Sequence, residues 1–302
     1  MIKKLPLCVL FLFVANFLLG LPALGEERLL TDETGKKIKV PSSPKRIISL
    51  APSITEILFA LGLVDEIAGV TDFCDHPEGT LKKPKIGGFV NPSMERIVSL
   101  RPDLIAWIRD GNRKENIQAL KDLGLPVYLI DPKGFDGVMR SIEKIGQAVG
   151  RSEGSKKIVR EMRTKTERIA GLTASLPRPT VFFQIGNAPM ITVGKGTLAD
   201  DLIRLAGGKS ISEDETVEYP AYGIETILKK APEIIIISSM EAERNYPNLV
   251  KNWKNWKSVP AVARNAIHVI DSNLVDRPTP RIVEGLEALV RIIHPEVLGH
   301  KK

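Results

Sequence analysis

From Arg46 onward, short apolar runs alternate with stretches whose apolar residues fall three and four apart. Ile47-Ile48-Ser49-Leu50 reads as a buried strand. Ile54, Ile57, Leu58 and Leu61 then share one helical face, and Gly62 supplies the stop. Ser53-Ile54-Thr55-Glu56 has the form of a capping box, hydroxyl first and carboxylate three residues on, so the spacing predicts a helix start there. Apolar runs at 67–70, 104–108 and 127–130 predict further strands with helices between them. A second series begins at Thr180, with strands at 181–185, 234–237 and 267–270 and a helix capped by Thr197. Strands alternating with helices predict an α/β protein of two lobes, each a mostly parallel sheet flanked by helices.

Between the two series lies a charged stretch without a strand signal. Residues 152–172 contain no proline, and Ile158, Val159, Met162, Ile169 and Leu172 punctuate Lys, Arg and Glu. The pattern predicts a single long α-helix joining the lobes as a strut, closed off by Pro177 and Pro179. The expected organisation is an N-terminal lobe at 26–151, a linking helix at 152–176 and a C-terminal lobe at 177–302. An internal echo relates the lobes. Glu95 through Ile105 resembles Glu225 through Ile235, and the glutamates stand 130 positions apart, as do Pro102 and Pro232. Each segment reads as a helix opened by Glu and broken by Pro into a buried strand, which points to an internal duplication.

The first residues bear on the compartment. Lys3 and Lys4 precede an apolar run over 5–21, with small Ala23 and Gly25 after it, the layout of an export signal cleaved near Gly25. The alternative is an uncleaved anchor, since the run approaches the ~20 residues that span a bilayer. With residues 1–25 removed, net charge falls from +7 to +5. That excess is dispersed and aromatics are 5% of the chain, so a nucleic-acid partner is not expected. Cys8 lies in the leader and leaves Cys74 alone, without an internal disulfide or a paired-cysteine metal site.

Signatures of chemistry are missing. The chain has no nucleophile elbow and no H-E-x-x-H, and Gly194-Lys195-Gly196-Thr197 fails the phosphate-loop spacing. The histidines, His76, His268, His294 and His300, form no close cluster, so neither catalytic residues nor a metal site is expected. What remains are aromatic and polar residues in loops after strands, where parallel sheets bind ligands. These are Phe73, Cys74, Asp75, His76 and Phe89 in the first lobe, with Tyr219, Asp276 and Arg277 in the second. They describe an inter-lobe cleft with apolar walls, suited to a large, flat, partly apolar ligand.

The runs Val70-Thr71-Asp72-Phe73-Cys74-Asp75-His76-Pro77 and Lys85-Ile86-Gly87-Gly88-Phe89-Val90-Asn91-Pro92-Ser93-Met94-Glu95-Arg96-Ile97 resemble the periplasmic cobalamin-binding proteins. That group also includes binders of iron-siderophores and haem, and the likeness covers residues 44–293. The resemblance implies two lobes joined by one helix, a corrinoid ligand rather than a cofactor, and no enzyme activity. It implies aromatic walls at Phe73, Phe89 and Tyr219 and a polar contact at Arg277, with Cys74 and His76 beside the ligand. Ile185 and Asn273 stand where the family carries an aromatic and an aspartate. Glu95 and Glu225 match carboxylates that dock on arginines of a permease homodimer, itself driven by an ATPase. The same carboxylates also suit helix starts on physical grounds alone. The implied protein is a periplasmic monomer. A siderophore or haem receptor is the alternative, and an enzyme acting on a corrinoid the more distant one.

Overall fold

The computed structural model describes residues 26–110, 113–238 and 246–298. The leader, its expected cleavage position and His300 lie outside these residues. The chain opens with an antiparallel hairpin, β1 (Glu27–Thr31) and β2 (Lys37–Pro41), which the reading from Arg46 onward did not include. The first sheet follows: β3 (Ile47–Ser49), β4 (Ile67–Val70), β5 (Leu104–Ile108) and β6 (Val127–Ile130), all parallel, in the order β4-β3-β5-β6. Around it pack α1 (Pro52–Ala60), α2 (Met94–Ser99), α3 (Lys114–Asp122) and α4 (Gly134–Ala148). A 22-residue helix, α5 (Ser152–Thr173), then leads to the second sheet.

That sheet is formed by β7 (Thr180–Gln184), β9 (Lys209–Ser210), β11 (Ile234–Ile237) and β12 (Ile267–Val269), again parallel, in the order β9-β7-β11-β12. In both sheets the first strand lies second from one edge, its successor outside it, and the third and fourth on the other side. The two lobes therefore share one topology, as the internal echo implies. A small antiparallel pair, β8 (Met190–Ile191) with β10 (Ala221–Tyr222), carries the second lobe's ligand-side loop. Its helices are α6 (Leu198–Leu205), α7 (Ile224–Lys230), α8 (Tyr246–Trp253), α9 (Pro260–Ala263), α10 (Ser272–Val275), α11 (Ile282–Ile293) and α12 (Pro295–Leu298).

The echo has a local cause. Arg101 and Ala231, just ahead of the two prolines, both adopt φ of 45°, so each helix ends in a left-handed residue before the chain enters β5 or β11. The next acidic residue ties down the neighbouring strand. Asp103 accepts from Lys45 N at 2.7 Å and Arg46 N at 2.9 Å, leading into β3. Glu233 accepts from Thr180 N at 2.9 Å, the first residue of β7.

Alternation along the strands divides the core. Ile47, Leu104, Ala106, Tyr128 and Ile130 of the first sheet and Val181, Phe183, Ile234 and Ile236 of the second face one common apolar cluster. Helices α1, α4, α5, α6 and α11 contribute to the same cluster, so one core runs through both lobes and the linking helix. The opposite faces close separately, around Trp107 in the first lobe and Phe182 with Trp253 in the second. Helices α4 and α5 approach closely at Gly146, where an added Cβ would meet Ser155 Oγ at 2.1 Å. Only glycine permits that packing.

One expected helix start is corrected. Helix α1 begins at Pro52 after Ala51, and no side chain caps it. Ser53 Oγ is buried without a hydrogen-bond partner among the described residues, and Glu56 turns away from the helix start to meet Arg281. The expected apolar face is present, with Ile54, Ile57 and Leu58 fully buried and Gly62 ending the helix at φ of 72°. Asp103→Ala and Glu233→Ala are each expected to lower stability by about 1 kcal/mol, with the effects adding in the double variant. Urea unfolding of the three variants measures this directly.

Candidate ligand cleft

The loop after β4 is anchored from within. Cys74 is 1% exposed, and its sulfur lies 3.2 Å from Thr55 Oγ1 and 3.1 Å from Thr71 Oγ1. Lys85 Nζ donates to Cys74 O at 2.8 Å from the other side. The thiol therefore belongs to the central core and is withdrawn from the cleft surface. This corrects its expected place beside the ligand. Its neighbours point outward as a consequence of that burial. Phe73 is 61% exposed, and Asp75 and His76 are exposed beside it.

Phe89 lies on the adjoining loop. Asp72 N donates to Gly87 O at 2.9 Å, joining the two loops, and an added Cβ on Gly88 would lie 3.9 Å from the Phe73 ring. Phe89 is half-buried and faces a hollow of about 260 Å³. Tyr219 faces the same hollow from the second lobe, with Leu198 and Pro278 beside it. A second hollow of about 440 Å³ adjoins it, lined by Ile185, Ile191, Val193 and Val275. Thr197, Leu198, Tyr219 and Asp276 line both, so the two form one cleft. Asn273 does not line either hollow; its backbone N–H donates to Asp271 at the start of α10.

The cleft's charged edge is acidic. Asp131 pairs with Arg109 at 3.0 Å, and Lys133 reaches across the lobes to Glu218 at 3.1 Å. Asp110 lies near both cations, and Asp276 adds a fourth carboxylate against these two positive groups. Asp276 meets water in the cleft but has protein on most sides. That enclosure pushes its carboxyl up to about 6, against the hydrogen bond from Ser238 Oγ at 2.9 Å, which favours the charged form. Burial likewise raises the Tyr219 hydroxyl, helped by nearby Glu218, so it remains a neutral hydrogen-bonding group at physiological pH.

At the floor the lobes are bound together. Phe135 N donates to Asp201 Oδ2 at 2.8 Å, and Gly134, at φ of 64°, leaves room that a Cβ would fill at 2.7 Å from that oxygen. Arg277 grips Asp75 at 2.6 and 3.2 Å and touches Glu56 at 3.5 Å. Arg281 makes a forked pair with Glu56 at 2.7 and 2.8 Å. The expected ligand contact Arg277 is thus already engaged by the first lobe, its side chain 13% exposed. Sequence reasoning missed Glu56 and Arg281. The available signal was a glutamate set among Ile54, Ile57 and Leu58, on a helix face that packs inward.

Two folded lobes of equal topology around a cleft, joined by one helix, are the architecture of extracytoplasmic solute capture. A family model described as "Periplasmic binding protein" matches residues 47–274. This chain belongs to the periplasmic binding protein family. Its relatives include a vitamin B12-binding protein of Vibrio vulnificus, 28% identical over 247 residues that span 80% of this chain and 88% of the relative. An uncharacterized ABC transporter substrate-binding lipoprotein of Bacillus subtilis is 30% identical over 274 residues, 88% of this chain and 85% of the relative. Among solved structures, the periplasmic vitamin B12 binding protein of Vibrio cholerae superposes with a TM-score of 0.73 at 28% identity, covering 85% of this chain and 99% of that one. The family is one of binding proteins rather than enzymes, and its members work outside the cytoplasm.

Glu95 and Glu225 occupy equivalent places, each the second residue of its helix, α2 after Ser93 and α7 after Gly223. Both are exposed. In the cleft, the raised Asp276 group binds its proton more tightly in the folded chain than in the unfolded one. Its stabilising contribution is therefore complete below pH ~4 and lost as pH rises through about 6. Asp276→Asn is expected to be about 1 kcal/mol more stable than wild type at pH 8 and equal to it at pH 4, the figure being reduced for water in the cleft. Denaturant titrations at the two pH values read the difference.

Proposed function

We propose that this protein captures a corrinoid of the cobalamin type in the inter-lobe cleft and delivers it to an ABC importer. The observation that carries the reading is the meeting of aromatic residues from both lobes, Phe89 and Tyr219, over one apolar cleft with an acidic edge. In this reading Phe73, Phe89 and Tyr219 pack on the ligand's flat faces, while His76 serves its polar rim and Arg277 holds the first lobe through Asp75 and Glu56. A corrinoid carries neutral amide side chains that donate hydrogen bonds to carboxylates. Haem propionates and most ferric siderophores bring negative charge, which Asp110, Asp131, Glu218 and Asp276 disfavour. The vitamin B12 relatives fit the same choice. Ile185 in place of an aromatic leaves that wall less bulky, which favours tolerance of corrinoid variants.

Phe89→Ala is expected to weaken cobalamin binding roughly ten- to a hundredfold, the loss of a stacked apolar wall worth about 1–3 kcal/mol. Phe59→Ala, a change within α1 against the central apolar cluster, should alter stability more than affinity. Calorimetric titration separates them, and equal affinity for wild type and Phe89→Ala removes Phe89 from the site.

Delivery rests on the pair Glu95 and Glu225. Carboxylates at equivalent positions of two related lobes match a two-fold symmetric permease. The expected partner is a permease homodimer coupled to its ATPase, receiving a monomeric binding protein. Glu95→Ala with Glu225→Ala should reduce transporter association and uptake more than either change alone, because exposed pairs contribute only ~0.2–1 kcal/mol each. Corrinoid binding and melting should stay as in wild type. Unchanged uptake by the double variant reduces both residues to helix-start carboxylates.

A further inference from the structure

Glu56 is the most deeply placed acid at the junction of the lobes, its side chain only 4% exposed. It stands on the inward face of α1, among residues that are otherwise apolar or hydroxylated, and its two oxygens take the forked guanidinium of Arg281 at 2.7 and 2.8 Å. Arg277 Nη1 approaches the same carboxylate at 3.5 Å and also holds Asp75 at 2.6 Å. The second guanidinium nitrogen of Arg277 reaches Asp75 at 3.2 Å. Two acids of the first lobe thus meet two arginines of the second in a neutral chain running from the core to the cleft edge. Its outer end, Asp75, is separated from Phe73 only by the buried Cys74.

The energetics argue against stability as the purpose of this arrangement. Removing two charges from water largely cancels their attraction, so an apolar pair of similar size would stabilise the junction at least as well. A forked, doubly bonded arginine does supply direction and distance. Here the distance it sets is that between the second lobe and the loop bearing Phe73.

We propose that Glu56 is a positioning residue of the cleft: it orients Arg277 and Arg281 so that Arg277 holds Asp75, and with it the Phe73 loop, at the separation the ligand requires. This rests on the reading of Phe73 as a wall of the corrinoid site. Without Glu56, Arg277 is left with Asp75 alone at a partly wet edge, and the loop is tied to a side chain that is itself no longer fixed.

The test couples Glu56 to Phe73. Glu56→Gln keeps the shape and removes the charge, while Asp75→Asn cuts the same chain at its exposed end and spares the core. Each is expected to weaken cobalamin binding about tenfold by calorimetric titration. In either background Phe73→Ala should then cost little more, whereas Phe89→Ala should keep its full effect. A full Phe73→Ala penalty in both backgrounds overturns the proposal. A Phe73→Trp reporter gives a second, ligand-free reading: its fluorescence anisotropy should fall when Asp75→Asn or Glu56→Gln is added. Unchanged anisotropy also overturns it. Should Glu56→Gln not fold, the Asp75→Asn arm still decides. Failure of the wild-type protein to bind cobalamin would instead sink the corrinoid reading, and the reporter would still determine whether the chain positions the loop.

Discussion

The continuous apolar layer between the two sheets is the constraint from which the rest of the molecule follows. Strands β3, β5 and β6 on one side and β7 and β11 on the other turn alternate residues toward it, and α5 threads through it with Val159, Met162 and Ile169. Because interiors pack at crystal-like density, the lobes cannot slide without opening voids in that layer. The binding cleft is where this shared core ends. Its walls are the loops at the carboxyl ends of strands, projecting past the last packed residues.

That arrangement explains why polar contacts between the lobes gather at the floor and edge of the cleft rather than within the core. At the border of the apolar layer a charge can meet its partner and keep some contact with water. Lys133 with Glu218, Asp201 with the Phe135 backbone, and Glu56 with Arg281 all sit there. They bring direction to a junction whose stability comes from apolar burial. The same border accounts for Asp276, which no cation among the described residues neutralises and whose carboxyl is raised by enclosure.

The duplication gives the molecule two equivalent ends. Identical strand orders place α2 and α7 alike, and the left-handed residues Arg101 and Ala231 return the chain into equivalent strands. A partner with two-fold symmetry can meet both ends with one kind of surface. The cleft between them is not symmetric. Its first wall carries Phe89, while the second relies on Tyr219 and aliphatic Ile185, Ile191 and Val193.

The strand-helix alternation, the long linking helix, the paired Glu and Pro positions and the loops bearing Phe73, Phe89 and Tyr219 were legible in the sequence. Each depends on short-range rules: side-chain periodicity, a proline that ends a helix, a glycine that turns the chain. The hairpin at residues 27–41 lay ahead of the first clear strand-helix repeat and was not read. Tertiary structure alone decided the places of Cys74 and Glu56. Cys74 stands one residue from an exposed phenylalanine, yet Thr55 and Thr71 enclose its thiol. Glu56 has a local use three residues after Ser53, and its actual partners are arginines more than two hundred positions away. A local hydrogen bond at a helix start competes weakly against two guanidinium groups at a partly dry junction. Which one wins depends on how the lobes pack, and that is a property of the assembled fold rather than of any segment of the chain.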